Sequence, residues 1–484
     1  MDTKQIKQKA FTGAIWNMAT NVGTQLASFV IQIILARILD PSAYGTVALV
    51  TFFVSVANVF VTTGYASALI QRKDISEVEC STSFFIGIAV ALTLYATLFL
   101  MAPFVASFYS VDILISILRI QSLTLIFGAL TSVHNAIIIR TLQFRKFFYI
   151  NLSGITAQGV VGIVMALRGF GIWALVTSYV ANRIVTLIVT WLVVKWHPQF
   201  IFSFKAFKDL FSFSSKVLIF TLIDTVYSNI RSLIIGKKYS EEMLAYYNRG
   251  NQIPTLVATD GIGSISNVLF PALSRYAENG VAFKSAYRSS YKLMFYISFP
   301  IYLGLAAVSE PLTIVLLTEK WRDSIIFMQI VSITLIFNPF FTRTHVYNAM
   351  GRSDISMWLS IVDKVLITFL LIFAVIYGDV YTLVISAFVS NAMAMLVGFF
   401  VNCKVLNYRY REQLKDALPP FILAICMFVP VYMINFLNIE NILKLFIQTV
   451  SGVAIYALGS KLIKMESFVY LWGLINSYFK SKNH

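Results

Sequence analysis

The residues of this sequence that could do chemistry are polar side chains spaced along otherwise apolar runs. Between residues 11 and 38, Asn17, Asn21, Gln25, Ser28 and Gln32 follow one another at intervals of four, four, three and four, which places all five on one face of a helix. The run 44–70 repeats the pattern with Thr51, Ser55, Asn58 and Thr62. The run 244–273 does so with Asn248, Gln252, Thr255, Thr259, Gly263 and Ser266. In hydrocarbon an unmet polar group costs several kcal/mol, so such stripes either bond helix to helix or line a wet cavity. Long amides at Asn17, Asn21, Gln25, Asn58 and Gln252 favour the cavity.

Charges inside the runs are few. Lys216, Asp224 and Arg231 lie eight and seven residues apart in the run 210–235. Arg249, Arg343 and Lys364 fall in or near the ends of runs, where snorkelling to the headgroups accounts for each. Asp224 either neutralises Arg231 or Lys216 as a buried pair, or carries a coupling ion. Asp260, below Arg249, and Asp363, beside Lys364, are further counter-ion or proton-carrier candidates.

No catalytic or metal chemistry is indicated. His134, His197, His345 and His484 sit in separate elements without ligand spacing. Cys80, Cys403 and Cys426 share no CxxC pattern. There is no Gly-rich loop of the Walker type, so ATP is not the direct energy source, and no cofactor is expected. The outer loops are too short for the converging acid, base or metal groups of an enzyme acting on lipid-linked sugars. The reading is therefore a protein that is not an enzyme and takes no metal.

The elements that hold these residues follow from composition. Of 484 residues, 58% are hydrophobic and 12% charged, and the mean hydropathy is +0.77. A soluble protein carries about a quarter charged residues, so an integral membrane protein remains. Apolar runs bounded by charge, Gly or Pro give fourteen spans, near 11–38, 44–70, 82–107, 113–139, 147–168, 172–195, 210–235, 244–273, 287–308, 324–349, 355–377, 380–402, 418–437 and 442–463. The net charge of +16 reflects Lys and Arg at alternate span ends rather than nucleic-acid binding. With the N-terminus inside, the inner ends collect Lys4, Arg72, Arg140, Lys284, Arg352 and Lys464 among others, which predicts both termini in the cytoplasm. The start lacks the apolar run and cleavage site of a signal peptide and reads as part of the first span. Residues 465–484 place Phe468, Leu471, Trp472, Ile475 and Phe479 at helical spacing, a short helix in the membrane interface.

A faint repeat relates spans 1 and 2 to spans 7 and 8. Ala36-Arg37-Ile38-Leu39 before Ala43-Tyr44 resembles Gly236-Lys237-Lys238-Tyr239 before Ala245-Tyr246. Six spans separate the copies, so they share an orientation and would be related by an axis along the membrane normal.

Several longer segments carry a resemblance. Ala36 to Gly45, Gly169-Phe170-Gly171-Ile172-Trp173-Ala174-Leu175-Val176, Tyr246-Tyr247-Asn248-Arg249, Val268 to Arg275, Glu319-Lys320-Trp321 and Ala349 to Asp354 resemble bacterial polysaccharide transporters. These are the O-antigen and exopolysaccharide flippases of the multidrug, oligosaccharidyl-lipid and polysaccharide exporter superfamily. The resemblance implies an all-α polytopic membrane protein with two six-helix lobes around a central cavity plus two C-terminal helices. The lobes would be residues 1–205 and 206–405, followed by spans 13 and 14 with the tail in 406–484.

It also implies alternating access and, as substrate, an oligosaccharide repeat unit on undecaprenyl pyrophosphate, moved from the cytoplasmic to the periplasmic leaflet of the inner membrane for surface polysaccharide synthesis. Membrane lipids, a polysaccharide polymerase and a chain-length regulator are the partners it implies, with no nucleic acid. On that reading Lys216, Arg231 and Arg249 are pyrophosphate candidates, Asn17, Asn21, Gln25, Asn58 and Gln252 sugar or cavity candidates, and Asp224, Asp260 and Asp363 ion-coupling candidates. The alternatives are an ion-coupled drug or small-metabolite antiporter of the same superfamily and an integral glycosyltransferase or polymerase.

Overall fold

The computed structural model describes residues 3–63, 69, 70, 72, 75–263, 273, 276, 280–341 and 343–482. Among them there is helix and connection but no strand, as hydrocarbon demands of a chain whose backbone must satisfy itself. Thirteen helical stretches are long and apolar enough to cross a membrane, two of them, 114–140 and 324–349, made of successive shorter helices, and the expected eighth span, 244–273, runs into residues outside the described set. The protein is a multi-pass membrane protein.

The chain divides into two compact units, Met1–Ala245 and Tyr246–His484. The first contains α1 (Thr3–Ile38), α2 (Pro41–Thr62), α3 (Glu77–Tyr109), α4 (Leu114–Gln121), α5 (Leu123–Arg140), α6 (Phe144–Leu167), α7 (Ile172–Val193) and α8 (Phe204–Lys238). Helix α9 (Glu241–Leu256) starts in it. The second contains the rest of α9, a π-helical segment (Val257–Ile262), α10 (Gly280–Leu317), α11 (Ser324–Thr334), α12 (Asn338–Phe341) and α13 (Arg343–Ala349). It continues with α14 (Ser353–Tyr377), α15 (Val380–Leu406), α16 (Tyr410–Met433), α17 (Asn441–Leu462) and α18 (Glu466–Lys482).

Local sequence sets the ends of these elements. Ser76 accepts from the backbone N–H of Glu79 while the Glu79 carboxylate accepts from that of Ser76, closing both free donors at the start of α3. Pro41 opens α2, where its missing N–H costs nothing. Asp379 caps α15 by accepting from the N–H and the hydroxyl of Thr382, each at 2.7 Å. Those bonds hold its carboxyl below the usual carboxylate range.

In the first unit α1 packs on α6, and α6 on α7, through small residues. A Cβ at Gly159 would press on Ile31, and one at Gly162 on Leu35 and Ser178. Helix α8 is held in the same unit by α2 and α3. The start of α9 lies against α2, where Thr46 donates to the Glu241 carboxylate, and the last turn of α8 meets the end of α3, where Lys237 donates to the carbonyl of Phe108. A Cβ at Gly45 would run into the Glu241 carbonyl, so only glycine allows this approach.

In the second unit α10 is the centre, flanked by α11, α16 and α17. Its 38 residues run about 57 Å, well beyond the ~30 Å hydrocarbon core. The first turns therefore emerge at the membrane face and carry Lys284, Arg288 and Lys292. Helix α18 follows α17, with Phe468 and Leu471 packed on the core and Val469 and Trp472 exposed.

The Gly45 contact makes a test. Gly45→Val overpacks the turn against α2 and lowers unfolding stability by about 1–3 kcal/mol, read as a fall in melting temperature of the purified protein. Gly280→Ala, with nothing within 4 Å of its added Cβ, leaves it unchanged. Equal melting of the two variants would show that α2 and the start of α9 do not need this approach.

Candidate functional site

The amide stripe of α1 lies beside its packed face. Trp16 meets Phe148 of α6 with rings 5.6 Å apart, and Thr20 is buried and bonds back to the Trp16 carbonyl at 2.8 Å. One helical step round, Asn21 and Gln25 are exposed and Asn17, Ser28 and Gln32 half-buried, with Gln32 donating to Ser28 at 3.3 Å. In α2 the hydroxyls serve structure. Thr51 accepts from Gln121 of α4 at 3.1 Å, and Ser55 and Thr62 bond to carbonyls of their own helix. Asn58 is half-buried with its Oδ1 beside Gly128 of α5.

Cations inside the spans separate into two kinds. Arg249 is 8% exposed and donates to Gln252 Oε1 at 2.6 Å. Its guanidinium lies 5.3 Å from the centre of Trp321, which is fully buried. The Tyr246 ring meets Trp321 at 6.2 Å and the Tyr247 ring meets Phe327 at 5.9 Å. Two of the segments that carried the family resemblance, 246–249 and 319–321, thus form one packed joint. Arg249 is a structural member of it.

Arg231 of α8 is the other kind. It is half-buried, its Nε is buried without a hydrogen-bond partner, and it makes no hydrogen bond or ion pair with a described residue. The Asp224–Arg231 pair that the spacing allowed is not formed, and the Asp224 side chain is exposed. The side chains of Lys216 and Asp260 lie outside the described set, although their backbones belong to α8 and to the π-helical segment. Asp363 and Lys364 are neighbours on α14, both half-buried.

Sequence reading missed Arg183, the twelfth of 22 residues in α7. It lies about 15 Å of helix from either end, too deep to snorkel. On the same face, seven residues away in each direction, Val176 and Thr190 are both 0% exposed. The outward face of α7 is marked by Ile184, Ile188 and Leu192, all exposed. Arg183 is about 140° round the helix from Ile188, yet it is itself exposed. It makes no hydrogen bond or ion pair with a described residue. Next to it Asn182 donates to Gln158 of α6 at 3.0 Å. The available signal was depth: a lone arginine midway along an apolar run has no neutral explanation.

His134, fully buried, places Nε2 3.2 Å from the Trp196 carbonyl with its ring against Trp191 and Trp196. It is packing material. No group of three or more His, Cys, Asp or Glu side chains able to hold a metal occurs among the described residues.

Thirteen spans, helices that carry amide stripes, and arginines within the spans that make no ion pair among the described residues define a polytopic helical protein of transporter type. Its fold is that of the lipid II flippase MurJ in an inward closed conformation, with a TM-score of 0.73 over 93% of this chain and 98% of that one at 16% identity. An inward-facing multidrug resistance transporter of the MATE family matches with a TM-score of 0.64 over 81% of this chain and 98% of that one, also at 16% identity. The family described as "Polysaccharide biosynthesis protein" matches residues 34–326, more than half of the chain, and the chain belongs to it.

Among its relatives are the teichuronic acid biosynthesis protein TuaB of Bacillus subtilis, 25% identical over 77% of each chain, and the succinoglycan biosynthesis transport protein ExoT of Rhizobium meliloti, 22% identical over 88% of this chain and 86% of that one. The lipopolysaccharide biosynthesis protein WzxC of Escherichia coli is 22% identical over 88% of each.

The two kinds of arginine should differ in stability. Arg249→Ala leaves the Gln252 amide and the Trp321 face without their partner and costs about 1–3 kcal/mol. Arg183→Ala and Arg231→Ala cost nothing measurable, because neither guanidinium holds a hydrogen bond or ion pair among the described residues whose loss would be felt. Thermal melts of the three purified variants check this ordering. Loss of stability in Arg183→Ala equal to that in Arg249→Ala would mean Arg183 is part of the packing.

Proposed function

We propose that this protein is a flippase. It moves oligosaccharide repeat units carried on undecaprenyl pyrophosphate from the cytoplasmic to the periplasmic leaflet of the bacterial inner membrane, by alternating access. Both termini lie in the cytoplasm. By the sequence repeat the lobes are residues 1–205 and 206–405, with spans 13 and 14 and the tail in 406–484, although α8 packs with α2 and α3 in the compact unit Met1–Ala245. The function is transport, not catalysis, and a polymerase and a chain-length regulator are its partners in surface polysaccharide synthesis.

The observation that carries this reading is a pair of arginines within the spans, Arg183 and Arg231, that make no ion pair among the described residues and lie in the same unit as the amide stripe of α1. An organic-cation antiporter would want carboxylates there. A lipid-linked sugar presents two chemistries in one molecule, an anionic pyrophosphate and a row of hydroxyls. Arginine forks meet the first. Asn17, Asn21, Gln25, Asn58 and Gln252 replace water around the second. The relatives named for teichuronic acid, succinoglycan and lipopolysaccharide biosynthesis support the same substrate class.

Lys216 remains a candidate phosphate ligand beside the two arginines, whereas the packed joint of Arg249 leaves it little freedom to serve. Outward movement of negative charge runs with an inside-negative potential, about 2.3 kcal/mol per charge per 100 mV. Asp224, Asp260 or Asp363 can add coupling if each binds a proton or cation in one conformation only.

Reconstituted protein tests the proposal by following lipid-linked oligosaccharide across liposome leaflets under an imposed potential, pH gradient or sodium gradient, one at a time. Arg183→Gln and Arg231→Gln should each cut the rate at least tenfold while inserting normally, and Arg231→Lys should keep part of it. Normal transport by both neutral variants would place the phosphate site elsewhere. Response to potential alone would remove the carboxylates from the mechanism. In Asp224→Asn, loss of a pH or sodium response with the potential response retained would assign it the coupling role.

A further inference from the structure

The second unit carries two cavities that adjoin at one residue, and neither belongs to the interior cations or amides described above. The first, of about 330 Å³, lies where α10, α16 and α18 begin, and Arg288, Lys292, Lys415 and Asp416 stand in its wall with Glu466. The second, of about 380 Å³, is a groove between α10, α16 and α17 lined by Pro300, Gly304, Val308, Met427, Gly452 and Val453 among others. Tyr296 lines both. It is 9% exposed and fixed by a 3.0 Å bond to Ser460 and by the hydroxyl of Tyr456, which donates to its carbonyl at 2.8 Å.

The levels of the two cavities are set by the sequence. Lys292 in α10, Lys415 in α16 and Lys464 after α17 are each followed or preceded by the apolar run of their span, so the basic cavity sits at the headgroup level. From Tyr296 the groove descends to Val308, twelve residues or about 18 Å along α10. That is somewhat more than one leaflet of the ~30 Å hydrocarbon core. Ile301 and Val453, at 38% and 67% exposed, leave it open along its length to the lipid side. Gly304 and Gly452 make its floor: a Cβ at either meets only Met427 or Val431, at 3.5 Å or more.

The basic end is a built structure. Arg288 forks onto the buried Asp416 carboxylate, which also accepts from Tyr408 at 2.7 Å. Tyr408 accepts through its carbonyl from Gln413, Gln413 from Asn402, and Asn402 from Tyr347, all of them at most 6% exposed. Lys292 is shared between Asp416 at 3.6 Å and Glu466 at 2.6 Å, and the Glu466 side chain is 80% exposed. Lys415 makes no hydrogen bond or ion pair with a described residue. With Glu466 turned out to solvent, Lys292 and Lys415 face the cavity beside Arg288, which Asp416 and, at 3.8 Å, Glu412 already hold, and the wall has room for a phosphate.

We propose that this pair of cavities binds one anionic phospholipid as a resident ligand, its phosphodiester on Lys292 and Lys415 beside Arg288, one acyl chain in the groove below Tyr296. Charge complementarity selects an anionic over a zwitterionic headgroup, because a choline or ethanolamine ammonium would meet the same three cations. Glu466, first residue of α18, occupies Lys292 when the lipid is absent, so lipid binding releases the start of α18.

The purified full-length protein tests this without its transport substrate. Native mass spectrometry and melting curves are taken with phosphatidylglycerol, with phosphatidylcholine of the same chains, and with inorganic phosphate. Phosphatidylglycerol should be retained at least tenfold more tightly than phosphatidylcholine and raise the melting temperature, and phosphate alone should do neither. The double variant Lys292→Gln, Lys415→Gln should lose the preference, with Arg288 left in place because it holds the Asp416 network. Gly304→Phe, which fills the groove with the charges intact, should lose retention of both lipids, and Glu466→Gln should tighten phosphatidylglycerol. Equal retention of the two lipids, or an unchanged preference in the double variant, overturns the proposal. So does one-for-one displacement by a polyprenyl pyrophosphate, which would give the groove to the transport substrate. None of these outcomes depends on whether the protein flips oligosaccharides.

Discussion

Hydrocarbon offers no partner to a peptide N–H or C=O, and leaving one unmet costs several kcal/mol. Lipid tails are also as apolar as leucine, so a span gains nothing by hiding leucine from them. Close fit has to hold the helices together. That is why α6 meets α1 and α7 through Gly154, Gly159 and Gly162, where any Cβ would strike Thr186, Ile31 or Leu35. The same constraint brings the start of α9 against α2 at Gly45. Helix backbones approach wherever side chains are removed, and dispersion across those seams replaces the hydrophobic drive of a soluble core.

The constraint also sorts the polar residues inside the spans. Hydroxyls find a partner without leaving their own helix: Thr24 bonds to the Thr20 carbonyl, Thr97 to Thr93, Thr225 to Thr221, at 2.6–2.8 Å. Such residues cost little and say little about function. Amides and guanidinium groups carry more donors than one carbonyl can meet, so although Asn151 and Asn229 bond back to their own helix, others reach further. Gln121 finds Thr51, Asn182 finds Gln158, and Arg249 finds Gln252 and Trp321.

Periodicity alone revealed most of the helices, because an apolar run of twenty residues has few other fates. The α14 and α17 runs agree with expectation to within two residues. Helix α16 starts at Tyr410 rather than near 418, since Glu412 bonds the Arg409 N–H and the first turn is stable outside the apolar run. Spacing on a single helix could not show what lies across from a residue. Nothing in the helix of Arg249 itself shows that Trp321, 72 residues away, packs against its guanidinium. Asp416 drew no notice because its partner Arg288 is 128 residues distant. Arg183 lacked periodic companions, and its depth, not its pattern, is what marks it.

The contrast between the two sets of basic residues carries the functional argument. At the rim of the second unit Arg288 and Lys284 are held by Asp416 and Glu412, and a cation held by a carboxylate offers a passing anion little net attraction. Inside the first unit Arg183 and Arg231 have no carboxylate among the described residues. Keeping an arginine at mid-membrane costs roughly 2.5–3.5 kcal/mol even by the milder scales, so a chain under no functional demand would lose it or pair it. A transported anion must be attracted on one side and released on the other. Permanent neutralisation of the site would abolish the first step, and a second fixed cation at contact distance would hinder the last. An arginine without a fixed carboxylate meets both requirements wherever water can take over its guanidinium donors each time the anion departs.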